Sequence, residues 1–137
     1  MAKYTAFIDG ASSGNPGDAG IGIVVYKDGE DIVRESKYIG KETNNVAEYT
    51  ALLTLLEMLE HHGIKEIEVF SDSELMVKQL SGEYKVKNEG LKPLFMKALA
   101  HKKKIKYSVG HVRREKNTEA DKLAKKGSER GKRLSDV

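Results

Sequence analysis

IGIVVYKDGEDIVRESKYI, residues 21–39, holds two β-prone runs joined by the dipeptide that decides how the chain turns. Residues 21–27 and 31–39 are rich in Ile, Val and Tyr, and Asp28-Gly29 between them is a strong short-range hairpin signal. Upstream, residues 4–8 (YTAFI) alternate weakly and run into Asp9, so three antiparallel strands open the chain. Downstream, Asn44 or Asn45 can cap a helix running through residue 62, with Ala47, Ala51, Leu52, Leu55, Leu56 and Leu59 as its apolar face. Gly63 stops that helix, as a residue that tolerates positive φ should.

Beyond it, residues 64–70 (IKEIEVF) alternate and predict a fourth strand ending near Asp72. A helix over 73–80 breaks at Ser81-Gly82, and another spans 89–101, with Pro93 acceptable only in its first turn. Residues 105–109 read as a short fifth strand and 118–129 as a last helix. The order βββαβααβα predicts an α/β fold, a five-stranded mixed sheet with three antiparallel strands then two parallel ones, and helices on both faces. Residues 1–129 form one domain, and 130–137 read as a flexible basic tail.

Charged residues make up 33% of the 137 and the hydrophobic set 39%, a balance that fits a soluble globular domain rather than a disordered chain. There are no cysteines. Disulfides and thiolate metal sites are thereby excluded, and an intracellular, cytoplasmic setting is favoured. No apolar stretch is long enough for a signal core or a bilayer span. The net charge of +3 hides an asymmetry: residues 1–63 carry −5 and residues 64–137 carry +8. A cationic half suits a polyanion, although on charge alone a solvated, lysine-rich surface is the favoured reading.

Four segments each place one acid where an element begins or ends: Ile8-Asp9-Gly10, Asn45-Val46-Ala47-Glu48, Ser71-Asp72-Ser73 and Glu119-Ala120-Asp121. Asp9 and Asp72 fall at the C-terminal ends of strands, where open α/β sheets build their sites. Glu48, in the first turn of its helix, shares a stripe with Leu52, Leu55 and Leu59, so it points toward the core. An unpaired charge there is costly. Hard oxygen ligands in this number suit Mg²⁺ or Mn²⁺ rather than zinc. Phosphodiester hydrolysis uses such ligands because two ions roughly 4 Å apart can activate water and neutralise the leaving oxygen.

With these segments in view, the sequence resembles the ribonuclease H type 1 family over nearly its whole length. The first motif is Asp9-Gly10-Ala11-Ser12-Ser13-Gly14-Asn15-Pro16-Gly17 and the second Thr43-Asn44-Asn45-Val46-Ala47-Glu48-Tyr49. The third is Ser71-Asp72-Ser73, and the fourth Gly110-His111, Asn117 and Ala120-Asp121-Lys122-Leu123-Ala124. The resemblance implies a ribonuclease H-like fold and cleavage of the RNA strand of RNA–DNA hybrids, leaving 3′-hydroxyl and 5′-phosphate ends. It implies that Asp9, Glu48, Asp72 and Asp121 hold two Mg²⁺ ions, with Mn²⁺ as an alternative. It implies that His111 is a mobile-loop histidine that moves protons or helps product leave, a task for which histidine is the usual side chain. Asn15, Asn44 and Asn45 match positions that touch the hybrid's minor groove and 2′-hydroxyls, Thr43 one that holds a DNA phosphate, and Gly10 a close backbone approach. Of Asn44 and Asn45, one caps the helix and the other meets substrate. Gly10, Gly14 and Gly17 serve the turn.

Some family members insert a basic protrusion after the helix that follows Asp72. Here residues 79–88 (QLSGEYKVKN) lead almost directly into the next helix, and the chain has no tryptophan, which matches a compact subgroup without the protrusion. Tyr84, Lys85 and Lys87 are the candidates for a reduced grip on the DNA strand. A 3′–5′ exonuclease would place a second acid two residues after Asp9, where Ala11 stands, and a transposase would carry Glu in place of Asp121. A hybrid-binding module with a decayed centre would have lost at least one acid. Met1 and compact ends favour a free-standing monomer.

Overall fold

The computed structural model describes residues 2–135, and the Asp28-Gly29 turn forms as its residues require. Asp28 and Gly29 both adopt positive φ, 52° and 84°, matching the turn's twist to that of the flanking strands. The turn joins β2 (Gly17–Lys27) to β3 (Glu30–Glu42), and β1 (Tyr4–Ser12) pairs antiparallel with β2 from Tyr4↔Lys27 to Ser12↔Ala19. All three strands are longer than local alternation indicates. Register shifts in β2–β3 leave Ile32 and Ile39 of β3 without a direct partner, and such bulges interrupt a period of two.

Helix α1 (Asn44–His61) is capped by Thr43, whose Oγ1 accepts from the Val46 N–H at 3.2 Å. Neither Asn44 nor Asn45 is the cap, which corrects the sequence reading. Three consecutive cap-competent residues are indistinguishable locally, and Thr43 is the one with extended backbone (φ −76°, ψ 162°). Glu48 therefore stands in the second turn rather than the first. The predicted stripe is buried: Glu48, Leu52, Leu55 and Leu59 all lie inside. At the other end Gly63 adopts φ +71°, and the Ile64 N–H closes back onto Leu59 O at 2.9 Å. That bond takes Ile64 out of the next strand, so β4 (Glu66–Ser71) begins two residues later than its alternation implies.

Ser73 caps α2 (Glu74–Leu80), and α3 (Lys92–Ala100) starts later than expected because Asn88 Oδ1 accepts from the Gly90 N–H at 2.7 Å, holding residues 88–90 in a turn. Pro93 sits in the first turn of α3, as expected. Among the described residues no helix is inserted between α2 and α3. β5 (Lys106–His111) and α4 (Thr118–Ser135) complete the chain, with a 3₁₀ turn at Arg114–Lys116 between them. α4 continues past residue 129 because β3 gives it a surface: Ser36 Oγ donates to Leu123 O at 2.6 Å, and Arg130 Nη1 to Ser36 O at 2.8 Å. Helix thus replaces most of the segment read as a tail, and Asp136 and Val137 lie outside the described residues.

The sheet order is β3-β2-β1-β4-β5, with β1, β4 and β5 parallel, as the element order predicts. α1 leans on one face through leucines packed against Ala6, Ile8, Ile21, Ile23 and Val69, each buried leucine contributing about 2 kcal/mol. α4 covers the opposite face of β1–β3. It comes close enough that a Cβ on Gly22 would strike the Ala120 and Ala124 backbone, while one on Gly10 would strike Ala47 and Glu48 of α1. Gly10 thus serves strand–helix approach inside β1 and not a turn. No helix of the described residues is long and apolar enough to cross a membrane.

Candidate active site

Asp9 lies on β1 and Asp72 directly follows β4, two neighbouring parallel strands. Glu48 comes down from α1 and Asp121 from the first turn of α4, so four elements from the two sheet faces meet at one end of the sheet. One carboxylate oxygen from each of Asp9, Glu48 and Asp72 lies within 4.8 Å of the others. Asp121 joins them through a hydrogen bond to Asp9. All four line an open cleft of about 550 Å³, shared with Gly10, Ser12, Ser13, Asn44, Ser73 and Arg114.

Asp9 and Glu48 are hard to ionise together. Asp9 is 5% exposed and Glu48 4%, and the Gly10 N–H donates to Glu48 Oε1. Burial pushes the Asp9 carboxyl well above its ordinary 3.8, and the charge and hydrogen bond of Glu48 act the same way, as does the charge of Asp72. Burial also raises Glu48 above 4.5, although hydrogen bonds from Asp9, Gly10 and Ser73 favour its charged form. Two carboxyls that share a hydrogen bond must hold a proton between them or be relieved by a cation. Asp121 differs. Burial alone would raise it, yet Lys125 Nζ at 3.0 Å from its Oδ2, the Asp9 hydrogen bond and the charge of Arg114 hold it below 3.8.

Such a donor set fits divalent ions with oxygen preference: buried carboxylates from separate elements, little cationic compensation among three of them, and an open side for water or a ligand. Asn44 and Asn15 come together at the rim, the Asn44 N–H donating to Asn15 Oδ1 at 3.4 Å and Asn44 Oδ1 accepting from the Ser12 N–H at 3.3 Å. Asn45 is exposed on the first turn of α1, and Thr43 spends its hydroxyl on the cap. His111 ends β5 rather than standing in a loop; it is exposed and does not line the cleft. It does lie near the cleft residue Glu74, whose carboxyl is held down chiefly by Lys78 and to a smaller extent by the charge of His111.

Tyr84, Lys85 and Lys87 are not brought to the acids. Tyr84 and Lys85 line a separate groove with Val86, Phe95 and Met96, and Lys78 Nζ stands 5.1 Å from the Tyr84 ring centre. Sequence reading missed Arg114, Lys125, Ser73 and Glu74 as cleft residues. The i,i+4 spacing of Asp121 and Lys125 was a usable signal. Arg114 carried none, because its place depends on the 3₁₀ turn.

Residues 7–127 match the family model described as reverse transcriptase-like. A bifunctional protein of Mycobacterium tuberculosis is 45% identical over 127 residues, covering 89% of this chain and 34% of that protein. The chain thus spans about a third of the length of the first curated relatives it matches. A ribonuclease H of Dinoroseobacter shibae is 32% identical over 146 residues, covering 93% of this chain and 92% of its own. The crystal structure of an RNase H1 in complex with an RNA/DNA hybrid superposes with a TM-score of 0.88 at 41% identity, covering 94% of this chain and 99% of that one.

Proposed function

The chain belongs to the ribonuclease H family, type 1, and on that premise we propose that it hydrolyses the RNA strand of RNA–DNA hybrids internally, leaving 3′-hydroxyl and 5′-phosphate ends. The observation that carries this reading is the convergence of Asp9, Glu48 and Asp72, with Asp121 hydrogen-bonded to Asp9, on the floor of an open cleft. Asp9, Glu48, Asp72 and Asp121 would hold two Mg²⁺ ions, or Mn²⁺, which when bound supply the charge that activates water and neutralises the leaving oxygen.

The chain's own residues do the remaining work. The Gly10 N–H and Ser73 aim the Glu48 carboxylate, so the buried acid keeps one orientation. Lys125 and Arg114 keep Asp121 ionised. Asn44 and Asn15 present amide groups at the rim, suited to the 2′-hydroxyls that distinguish RNA from DNA. Asn45 meets the minor groove, Thr43 holds a DNA-strand phosphate, and Gly10 lets backbone approach closely. His111, beside Glu74, moves protons or assists product departure. Tyr84, Lys85 and Lys87 lie away from the acids and grip the DNA backbone. The enzyme acts as a monomer.

Labelled RNA–DNA hybrid, duplex DNA and duplex RNA, each incubated with Mg²⁺ or with EDTA, test this directly. Internal cleavage of the RNA strand in the hybrid, in Mg²⁺ only, is the expected result. Cleavage of duplex DNA in preference to the hybrid, or hybrid binding without cleavage, overturns the reading.

A further inference from the structure

Two of the helices that bring acids to the cleft are capped in the ordinary way: Thr43 accepts from Val46, and Ser73 from Met76. The third is not. Asn117 stands immediately before Thr118, the first residue of α4, where an asparagine oxygen usually accepts a helix N–H. It is 1% exposed, yet its Oδ1 has no partner, alone among the buried side-chain polar atoms of the described residues. Its Nδ2 instead donates to Ile8 O at 2.9 Å, across 109 residues of sequence.

Both ends of that bond sit beside a metal-binding acid. Ile8 precedes Asp9 and is the last β1 residue paired with β4. The Asp121 N–H donates to Asn117 O at 3.1 Å, so the first turn of α4 that carries Asp121 hangs from the same residue. We propose that Asn117 is a positioning residue: its amide locks the start of α4 to β1 and fixes where Asp121 stands relative to Asp9. A buried acceptor left unpaired is costly, and here the cap is given up so that the amide can make the cross-link. The residue type follows from that task. Aspartate and serine cap helices about as well as asparagine. An ionised aspartate has no N–H to donate and would add negative charge beside four acids, and serine is too short to reach Ile8 O from the same backbone.

The inference rests on the reading of the cleft as a metal-dependent nuclease centre, and its test separates the two. Asn117→Ser and Asn117→Asp, both able to cap α4, are compared with the wild type for folding by thermal melting, for Mg²⁺ and Mn²⁺ binding by calorimetry without nucleic acid, and for hybrid cleavage. Both variants should fold, bind metal about tenfold or more weakly, and lose kcat by a similar factor with KM within about twofold, as loss of a partner behind a metal ligand does. An Asn117→Ser variant with wild-type metal affinity and kcat overturns the proposal, even where Asn117→Asp is impaired, because added charge would then be the cause. Wild-type protein that binds metal but leaves hybrid intact overturns the proposed function, and the metal titrations alone then judge Asn117. Absence of metal binding by the wild type overturns both.

Discussion

The cleft has two unequal sides. On the α1 side Asp9 and Glu48 are buried: burial, then the charge and hydrogen bond of Glu48, push Asp9 toward protonation, and burial, with the charge of Asp72, pushes Glu48 the same way. On the α4 side Asp121 is more open and already has a counter-charge, Lys125, one helical turn away. The same residue chemistry therefore has opposite energetics a few ångströms apart. The α1 side opposes folding in its charged form and gains most from a bound divalent ion, whereas the α4 side is neutralised by the chain itself.

Asp9→Asn breaks the comparison most sharply. It removes the most repelled charge, so hybrid cleavage in Mg²⁺ should fall by about three orders of magnitude, equivalent to about 4 kcal/mol of transition-state stabilisation. In EDTA the same variant should melt higher than wild type, by roughly 4 °C for about 1 kcal/mol of relieved repulsion. Near wild-type turnover would remove Asp9 from the metal site, and an unchanged melting temperature would show that the α1 side carries no strain.

The two sides should also respond to pH with opposite sign. Asp9 and Glu48 have folded pKa values raised above 3.8 and 4.5, so their burial is tolerated below those values and destabilises increasingly as pH rises through the folded values. Asp121 is lowered, so its contribution is present above 3.8 and lost as pH falls through its folded value. Melting temperature in EDTA should decline from pH 5 upward, and stabilisation by Mg²⁺ should grow over the same range. A flat profile in EDTA, with Mg²⁺ stabilisation independent of pH, would contradict the contrast. Asp9→Asn should flatten the profile, and Lys125→Ala should leave it nearly unchanged.

Away from the acids, replacing Lys85 and Lys87 together by Ala tests whether grip and chemistry are separate regions. The slope of log K against log salt for hybrid binding should flatten by about one to two units, with the single-turnover rate of bound hybrid unchanged. An unchanged slope would make the loop between α2 and α3 a solvated connector. The smallest effect belongs to Lys125→Ala. Its side chain is 58% exposed, so stability should change by less than about 0.5 kcal/mol. The acid limb of the pH–rate profile should nonetheless move upward, because Asp121 loses the partner that holds its pKa down. A limb that stays in place would mean that Asp9 and Arg114 suffice.

Much of this architecture was legible in the chain because its causes are local. Asp28-Gly29 turns where it stands, Gly63 ends α1, and Leu52, Leu55 and Leu59 face inward with Glu48 because 3.6 residues make a turn. Motif order singled out four acids, and a regular alternation of elements implied the sheet. Other features depend on partners distant in sequence. Thr43 prevailed over Asn44 and Asn45 as the cap by backbone conformation, and the bulges at Ile32 and Ile39 arise from pairing with β2. Gly10 and Gly22 matter because two helices press on opposite faces of neighbouring strands. Asn117 could be read locally only as a cap, and its bond to Ile8 exists because the sheet brings β1 under the start of α4. By itself the sequence determined which elements form, in what order, and which acids could bind metal. Only the tertiary structure decided which acids are buried against one another, which has a lysine, and what positions them, because burial and charge–charge distance are properties of the packed chain.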